Sequence, residues 1–212
     1  MHRKLQRLPA RLGRVALIDD EADVRDSISA ALESADLSCS SYVSAESFLE
    51  QGDIDKFSCL LIDVQLPGMS GIELLTTLNS RGCETPVIAM SGHATVVDVV
   101  RAYENRARAF LQKPVPVRKL IETVTRLVLR FAERRKMRLA AERIRDALSP
   151  REREVMQLLI AGDKTVQIAR KLQISPSTVE KHRLRIFSKT GTSSVVDLIH
   201  RVPSVAASEL HV

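Results

Sequence analysis

The sequence predicts two folded units in tandem. The first is an α/β unit, doubly wound about a five-stranded parallel sheet. A long linker helix and an all-α unit of four helices follow. Three observations carry this reading. Five short apolar runs alternate with helical stripes up to Pro114, and only helical stripes follow. The charge changes sign along the chain: residues 13–117 carry 8 Lys/Arg against 16 Asp/Glu, and residues 118–212 carry 20 against 10. The length, 212 residues, suits two small domains of about 100 residues each.

Val15 to Ile18 reads as a buried strand, and Val24, Ile28, Ala31 and Leu32 set helical spacing over Ala22 to Ser34. Leu37 to Tyr42 is a weaker strand, and Ser44 is placed to cap a short helix ending at Gln51. Cys59 to Ile62 is a second buried strand. Ile72, Leu75 and Leu78 predict a helix that stops before Arg81-Gly82. Val87 to Met90 is a strand after Pro86, a helix covers about Thr95 to Asn105, and Phe110-Leu111 is the last strand. Strands that alternate with helices pair in parallel, because each crossover helix returns the chain to the same end of the sheet. Leu120, Val124, Leu127, Val128 and Phe131 then form a stripe on a helix predicted from about Val117 to Asp146. Its second half is charged, Ala-rich and free of Gly and Pro, a composition open to a flexible linker but favouring helix.

Past Leu148 the four helices are marked by their ends. Ser149-Pro150-Arg151-Glu152 is a capping box with Pro at the first helical position, and Gly162 ends that helix. Thr165 to Leu172 is short. Ser175-Pro176 starts a third helix that stops at Gly191, and Ser194 starts a fourth that ends before Pro203. The expected domains are therefore a basic arm at 1–12, the α/β unit at 13–130, a helical linker at 131–146, the all-α unit at 147–205 and a tail at 206–212. The arm, with four Lys/Arg and no acid, fits an unstructured arm, a DNA-contacting arm or a misassigned start.

Several classes are disfavoured. The longest apolar runs are four residues, whereas a membrane span needs about 20. The first dozen residues have no apolar core of a secretory signal. Three widely spaced cysteines, Cys39, Cys59 and Cys83, fit buried side chains in a reducing cytoplasm better than a disulfide framework or zinc site. A cytoplasmic location is expected.

Ligands of an open parallel sheet bind beyond the carboxyl ends of its strands. Those ends here read Asp19-Asp20-Glu21, Asp63, Ser91 and Lys113. Carboxylates gathered together repel unless a cation joins them, and a hard oxygen-rich set suits Mg²⁺. With Lys113, such a site is built to hold a phosphoryl group while an Asp carboxylate attacks it. Solvated loop acids are the bland alternative for any one of these residues, less so for the set.

Asp19-Asp20-Glu21, Asp63 through Gly71 (DVQLPGMSG), Ser91-Gly92-His93 and Phe110-Leu111-Gln112-Lys113-Pro114 together resemble a bacterial response-regulator receiver domain over roughly residues 13–130. The resemblance implies that Asp63 accepts phosphate from a sensor histidine kinase. It implies that Asp20 binds Mg²⁺ directly, Asp19 through water, and Gln65 through its backbone carbonyl. Lys113 would pair with the phosphoryl group, with a cis bond to Pro114. Ser91 and Phe110 would form the switch. A haloacid-dehalogenase-type phosphatase wants a second Asp at position 65, where Gln65 stands. The receiver family usually has Gly about seven residues before its Lys; Arg106 stands there, and Asn105 is expected to take the left-handed turn.

In the basic half, the helices at 165–172 and 176–190 are joined by Gln173-Ile174-Ser175, which is helix-turn-helix spacing. Val179, His182, Ile186 and Thr190 share one face of the second helix, which should pack on the core. Ser177, Glu180, Lys181, Leu184, Arg185 and Ser188 share the other. Lys181 is suited to guanine, Glu180 to the amino group of cytosine, and Leu184 to a thymine methyl; Arg183, Arg185 and Lys189 suit phosphates. Ser177, Thr178 and His182 complete the candidate DNA-contacting set, with His182 open between packing and contact. A solvated face on an ordinary bundle is the alternative. The stretches Leu148 to Val155 and Ser175 to His182 are similar to the LuxR-type DNA-binding domain, and the whole chain resembles a FixJ/NarL-type response regulator. Departures from that pattern are Lys164-Thr165-Val166 and Gln173.

The resemblance implies a transcription factor rather than an enzyme. Phosphorylation of Asp63 would pair two chains on a two-fold double-stranded DNA site. The alternative is a helix-turn-helix regulator whose receiver is a phosphate-independent protein-interaction module.

Overall fold

The computed structural model describes residues 12–201. The expected arm, apart from Leu12, and the expected tail lie outside the described residues. The chain divides into two compact units between Ala132 and Glu133.

In the first unit, β1 (Gly13–Ile18), β2 (Leu37–Tyr42), β3 (Cys59–Asp63), β4 (Val87–Ser91) and β5 (Ala109–Gln112) form one sheet in the order β2-β1-β3-β4-β5. Every pairing is parallel. The helices are α1 (Ala22–Ser34), α2 (Ala45–Gln51), α3 (Gly71–Ser80), α4 (Val96–Glu104) and α5 (Val117–Ala147). Alternate strand residues feed two cores, as the period of two requires. Ala16, Ile18, Leu60, Ile62 and Ala89 pack with Phe48 of α2, Leu74 and Leu78 of α3, and Ala102 of α4. Val15, Leu17, Leu61, Ile88 and Met90 pack with Ile28 and Leu32 of α1 and with Leu120, Val124 and Val128 of α5. Strands β1 and β3 are adjacent although β2 separates them in sequence, so the winding reverses between them. A crevice forms at such a reversal, at the carboxyl ends of the strands. Asp19 follows β1 there, and Asp63 ends β3.

Ser44, Ser70 and Thr95 cap α2, α3 and α4, each accepting from the backbone N–H three residues on. A 3₁₀ turn at Ile54–Lys56, unforeseen in the sequence, joins α2 to β3.

One expectation is corrected. The left-handed residue after α4 is Arg106 (φ 65°), while Asn105 has φ −86°. Asn105 is held by its side chain instead: its Nδ2 donates to the Arg101 carbonyl at 2.9 Å, and its Oδ1 accepts from Thr76 at 2.9 Å. Both bonds need the Asn side chain at position 105, so the positive φ falls one residue later, on an exposed Arg.

The second unit contains the end of α5 and four further helices, α6 (Pro150–Ile160), α7 (Thr165–Leu172), α8 (Pro176–Thr190) and α9 (Val195–Arg201). Leu148, Val155, Met156, Leu159, Ile168, Ala169, Val179, Ile186 and Leu198 form its core, with Ile144 of α5 packed against it. The turn between α7 and α8 is made by Gln173 in the left-handed region (φ 53°, ψ 45°), a conformation that favours glycine.

Glu152 is more than a cap. Its Oε2 accepts from the Ser149 N–H at 2.8 Å and from Lys189 Nζ at 2.7 Å, and the residue is only 3% exposed. The Lys189 bond first, then the Ser149 backbone bond, hold its carboxyl down to about 2, from an ordinary value near 4.5. A depressed carboxyl stabilises the fold above its unfolded value, and the contribution fades as pH falls from about 4.5 toward 2. Glu152→Gln should therefore cost about 1–3 kcal/mol at pH 7. The gap between variant and parent in urea unfolding should close as pH approaches 2. A gap independent of pH would mean that the charge is not what matters.

Candidate functional site

Asp19 is fully buried and Asp63 is 3% exposed, while Asp20 is open to solvent. Carboxylate oxygens of the three lie within 4.8 Å of one another. Lys113, which follows β5, places Nζ 2.5 Å from Asp63 Oδ2, 2.7 Å from Asp19 Oδ2 and 3.2 Å from Glu21 Oε1. Burial raises the carboxyl of Asp19, against the lowering effect of Lys113. Burial disfavours the Lys113 ammonium, but the adjacent carboxylates of Asp19 and Asp63 outweigh that and raise it. The ammonium is the internal counter-charge of this pocket.

The other oxygens are oriented by backbone. Asp63 Oδ1 accepts from the Gln65 N–H at 2.9 Å, and Asp19 Oδ1 from the Glu21 N–H at 3.1 Å. Arg25 of α1 donates to the Asp19 carbonyl at 2.8 Å. Asp19 Oδ2 has the Lys113 ammonium close by but no hydrogen bond of good geometry. A buried anionic oxygen so placed, beside two further carboxylates, fits a hard divalent cation. Ser91 ends β4 and is buried, its Oγ accepting from the His93 N–H at 3.2 Å. Phe110 is half-buried against the α2–α4 core. The Lys113–Pro114 bond is cis. Glu46 of α2 was not singled out from sequence, yet its Oε1 accepts from the Met69 N–H at 2.7 Å and ties down the loop after Asp63. Only tertiary contact reveals that role.

Gly71 sits directly beneath the pocket. Its N–H donates to the Val64 carbonyl at 3.0 Å, and a Cβ on it would lie 1.9 Å from the Asp63 carbonyl oxygen.

In the second unit, Ser177, Glu180, Lys181, Leu184 and Arg185 are exposed on one side of α8, and Val179 and Ile186 are buried on the other. Leu184 is 69% exposed, unusual for a leucine that packing alone would place. Thr178 is half-buried, and its N–H is capped by Ser175 Oγ at 3.1 Å. His182 is half-buried, with Nδ1 lacking a hydrogen bond among the described residues. Two residues expected to meet phosphates also have partners within the domain. Lys189 pairs with buried Glu152. Arg183 lies with Cζ 5.9 Å from the Phe187 ring centroid and donates from Nη1 to Glu180 at 2.9 Å and to Thr165 at 3.2 Å. Glu180 Oε1 also accepts from Thr165 Oγ1 at 2.7 Å. That bond first, then Arg183, hold the Glu180 carboxyl low.

Two family models match the chain: the response regulator receiver domain over residues 15–125, and the bacterial regulatory proteins of the luxR family over residues 146–202. The transcriptional regulatory protein FixJ of Azorhizobium caulinodans is 37% identical over 188 residues, covering 87% of this chain and 89% of its own. FixJ of Bradyrhizobium diazoefficiens is 34% identical, covering 88% and 93%. Among solved structures, the response regulator StyR superposes with TM-score 0.70 at 33% identity over 90% of this chain and 98% of its own. Full-length FixJ from B. japonicum superposes with TM-score 0.56 at 34% identity over 90% and 96%. The chain belongs to the FixJ/NarL-type two-component response regulators, transcriptional regulators that join a receiver domain to a LuxR-type DNA-binding domain.

Proposed function

We propose that a sensor histidine kinase phosphorylates Asp63, and that the phosphorylated chain pairs with a second copy and binds a two-fold double-stranded DNA site. The observation that carries this is Lys113 Nζ between the Asp63 and Asp19 carboxylates, at 2.5 Å and 2.7 Å. A carboxylate oxygen of Asp63 attacks phosphorus, the P–N bond of the donor phosphohistidine breaks, and an acyl phosphate forms. Asp19, Asp20, Asp63 and the Gln65 backbone carbonyl would hold Mg²⁺, which when bound supplies charge neutralisation of the phosphoryl oxygens. Lys113 holds the phosphoryl group on its other side. Buried Ser91 supplies a hydroxyl that turns toward the new phosphate, and half-buried Phe110 follows. The working division is receiver 13–130, linker 131–146 and DNA-binding domain 147–205. The chain acts as a regulator and not as an enzyme on a separate substrate. Among the described residues no helix is long and apolar enough to cross a membrane, and a cytoplasmic site of action fits the kinase and DNA partners.

Acetyl phosphate should label the full chain in Mg²⁺, EDTA should stop the labelling, and the labelled chain should bind its selected DNA site more tightly. Labelling without any change in DNA affinity would favour the phosphate-independent interaction module instead.

DNA is read by Ser177, Thr178, Glu180, Lys181 and Leu184, with Arg185 on phosphate. Lys181→Ala should cost about 1–3 kcal/mol and relax preference at one base pair. Arg185→Ala should weaken all sequences alike and lower the salt slope by about one unit. Unchanged affinity and preference in Lys181→Ala would rule out this face.

A further inference from the structure

Glu180 is the one acid on the exposed face of α8, and a carboxylate in a groove flanked by phosphates needs a reason to be there. The structure fixes it in place from both sides. Thr165, the first residue of α7, donates to Oε1 at 2.7 Å, and Arg183 donates to the same oxygen at 2.9 Å. Arg183 is itself held, with its guanidinium near the Phe187 ring and its Nη1 also donating to Thr165 at 3.2 Å. Both donors converge on one oxygen, and Oε2 has no hydrogen bond to the described residues. The carboxylate thus keeps one orientation, its charge is partly balanced by Arg183, and one acceptor remains for a ligand.

We propose that Thr165 is a positioning residue for base recognition: it aims Glu180 so that Oε2 accepts from the exocyclic amino group of a cytosine or adenine in the major groove. This rests on the reading of α8 as the DNA-contacting helix. An acceptor-only group discriminates by chemistry. Cytosine N4 and adenine N6 donate in the major groove, whereas guanine O6 and N7 and thymine O4 present only acceptors there and repel a carboxylate. Thr165 makes no base contact in this arrangement. It acts by removing the rotamers of Glu180 that would otherwise be sampled before binding, the cost that pre-organisation avoids. The Thr hydroxyl is suited to this, since its branched side chain restricts χ1.

The test is selection of a randomised double-stranded oligonucleotide library by the full chain, with and without acetyl phosphate, followed by titration of the selected site and its single-base variants. Glu180→Ala should lose preference for cytosine or adenine at one base pair. Thr165→Val, which keeps the shape and removes the donor, should lose about tenfold of discrimination at the same base pair. Thr165→Ser should restore it, and binding to random-sequence DNA should stay unchanged in both Thr165 variants, neither of which alters the charge of the face. Thr165→Val added to Glu180→Ala should have no further effect on preference. Circular dichroism melting separates a folding defect from a specificity defect, and the Ser variant reports on the hydroxyl even if Val unfolds the domain. Unchanged preference in Thr165→Val while Glu180→Ala relaxes it would overturn the positioning role, as would effects at two different base pairs. If Glu180→Ala and Lys181→Ala both leave preference intact, the reading of α8 fails first and the inference falls with it.

Discussion

Asp63→Asn should abolish acid-labile phosphorylation of the full chain. The carboxamide has nearly the shape of the carboxylate, but its nitrogen lone pair is delocalised and its oxygen is no longer an anionic nucleophile, so no acyl phosphate forms. The fold should survive. Asp63 is the last residue of the wholly buried strand β3, and its removal as an anion leaves Asp19 at 2.7 Å to pair with Lys113. The measurement is labelling by radioactive acetyl phosphate and by a cognate kinase, with circular dichroism to show that the variant is folded. Residual acid-labile label in a folded Asp63→Asn chain would move the phosphoacceptor elsewhere, with exposed Asp20 the next to test.

Gly71→Ala should be the most damaging small substitution in the receiver. A Cβ at that position would lie 1.9 Å from the Asp63 carbonyl oxygen and 2.8 Å from the Val64 Cα. These are main-chain atoms, which cannot swing aside as the end of a flexible side chain can. Either α3 moves off the sheet or the segment carrying Asp63 is displaced. Overpacking of this kind costs about 3 kcal/mol, and it should appear as a lower urea midpoint together with slower labelling of Asp63. Gly92→Ala is the control, because a Cβ there meets nothing within 4 Å. Equal midpoints for the two variants would show that the close approach under Asp63 is not a constraint.

Much of this was legible because the deciding signals are local. Ala22–Ser34 is bounded as its stripe predicts, and Ser44, Ser149 and Ser175 each cap the helix their side chains announced. The acids and Lys113 were legible for a different reason: a parallel sheet puts all strand ends at one edge, so four separate short motifs converge without knowledge of contacts. Illegible were choices settled by partners distant in sequence. Asn105 was favoured for the left-handed turn by propensity, but its bond to Thr76 lies 29 residues away along the chain. Lys189 looked like one more basic residue of α8 until its partner, Glu152, appeared 37 residues earlier. Thr165 carried no signal beyond departing from a family pattern, because its role depends on Glu180 lying opposite it.

The strand order also sets the pace at which the chain acquires its structure. β1 lies between β2 and β3, so the central β1–β3 pairing forms only after α1, β2 and α2 have been looped out between them. The entropy of closing that loop precedes any contact that offsets it, which places parallel sheets among the slower topologies. Helices α6 to α9 are joined by tight turns and meet partners nearby in sequence, the regime of fast folding. The half that receives the phosphoryl group is therefore the slower to assemble, although the ribosome releases it first. The half that grips a polyanion reaches its native shape sooner once made.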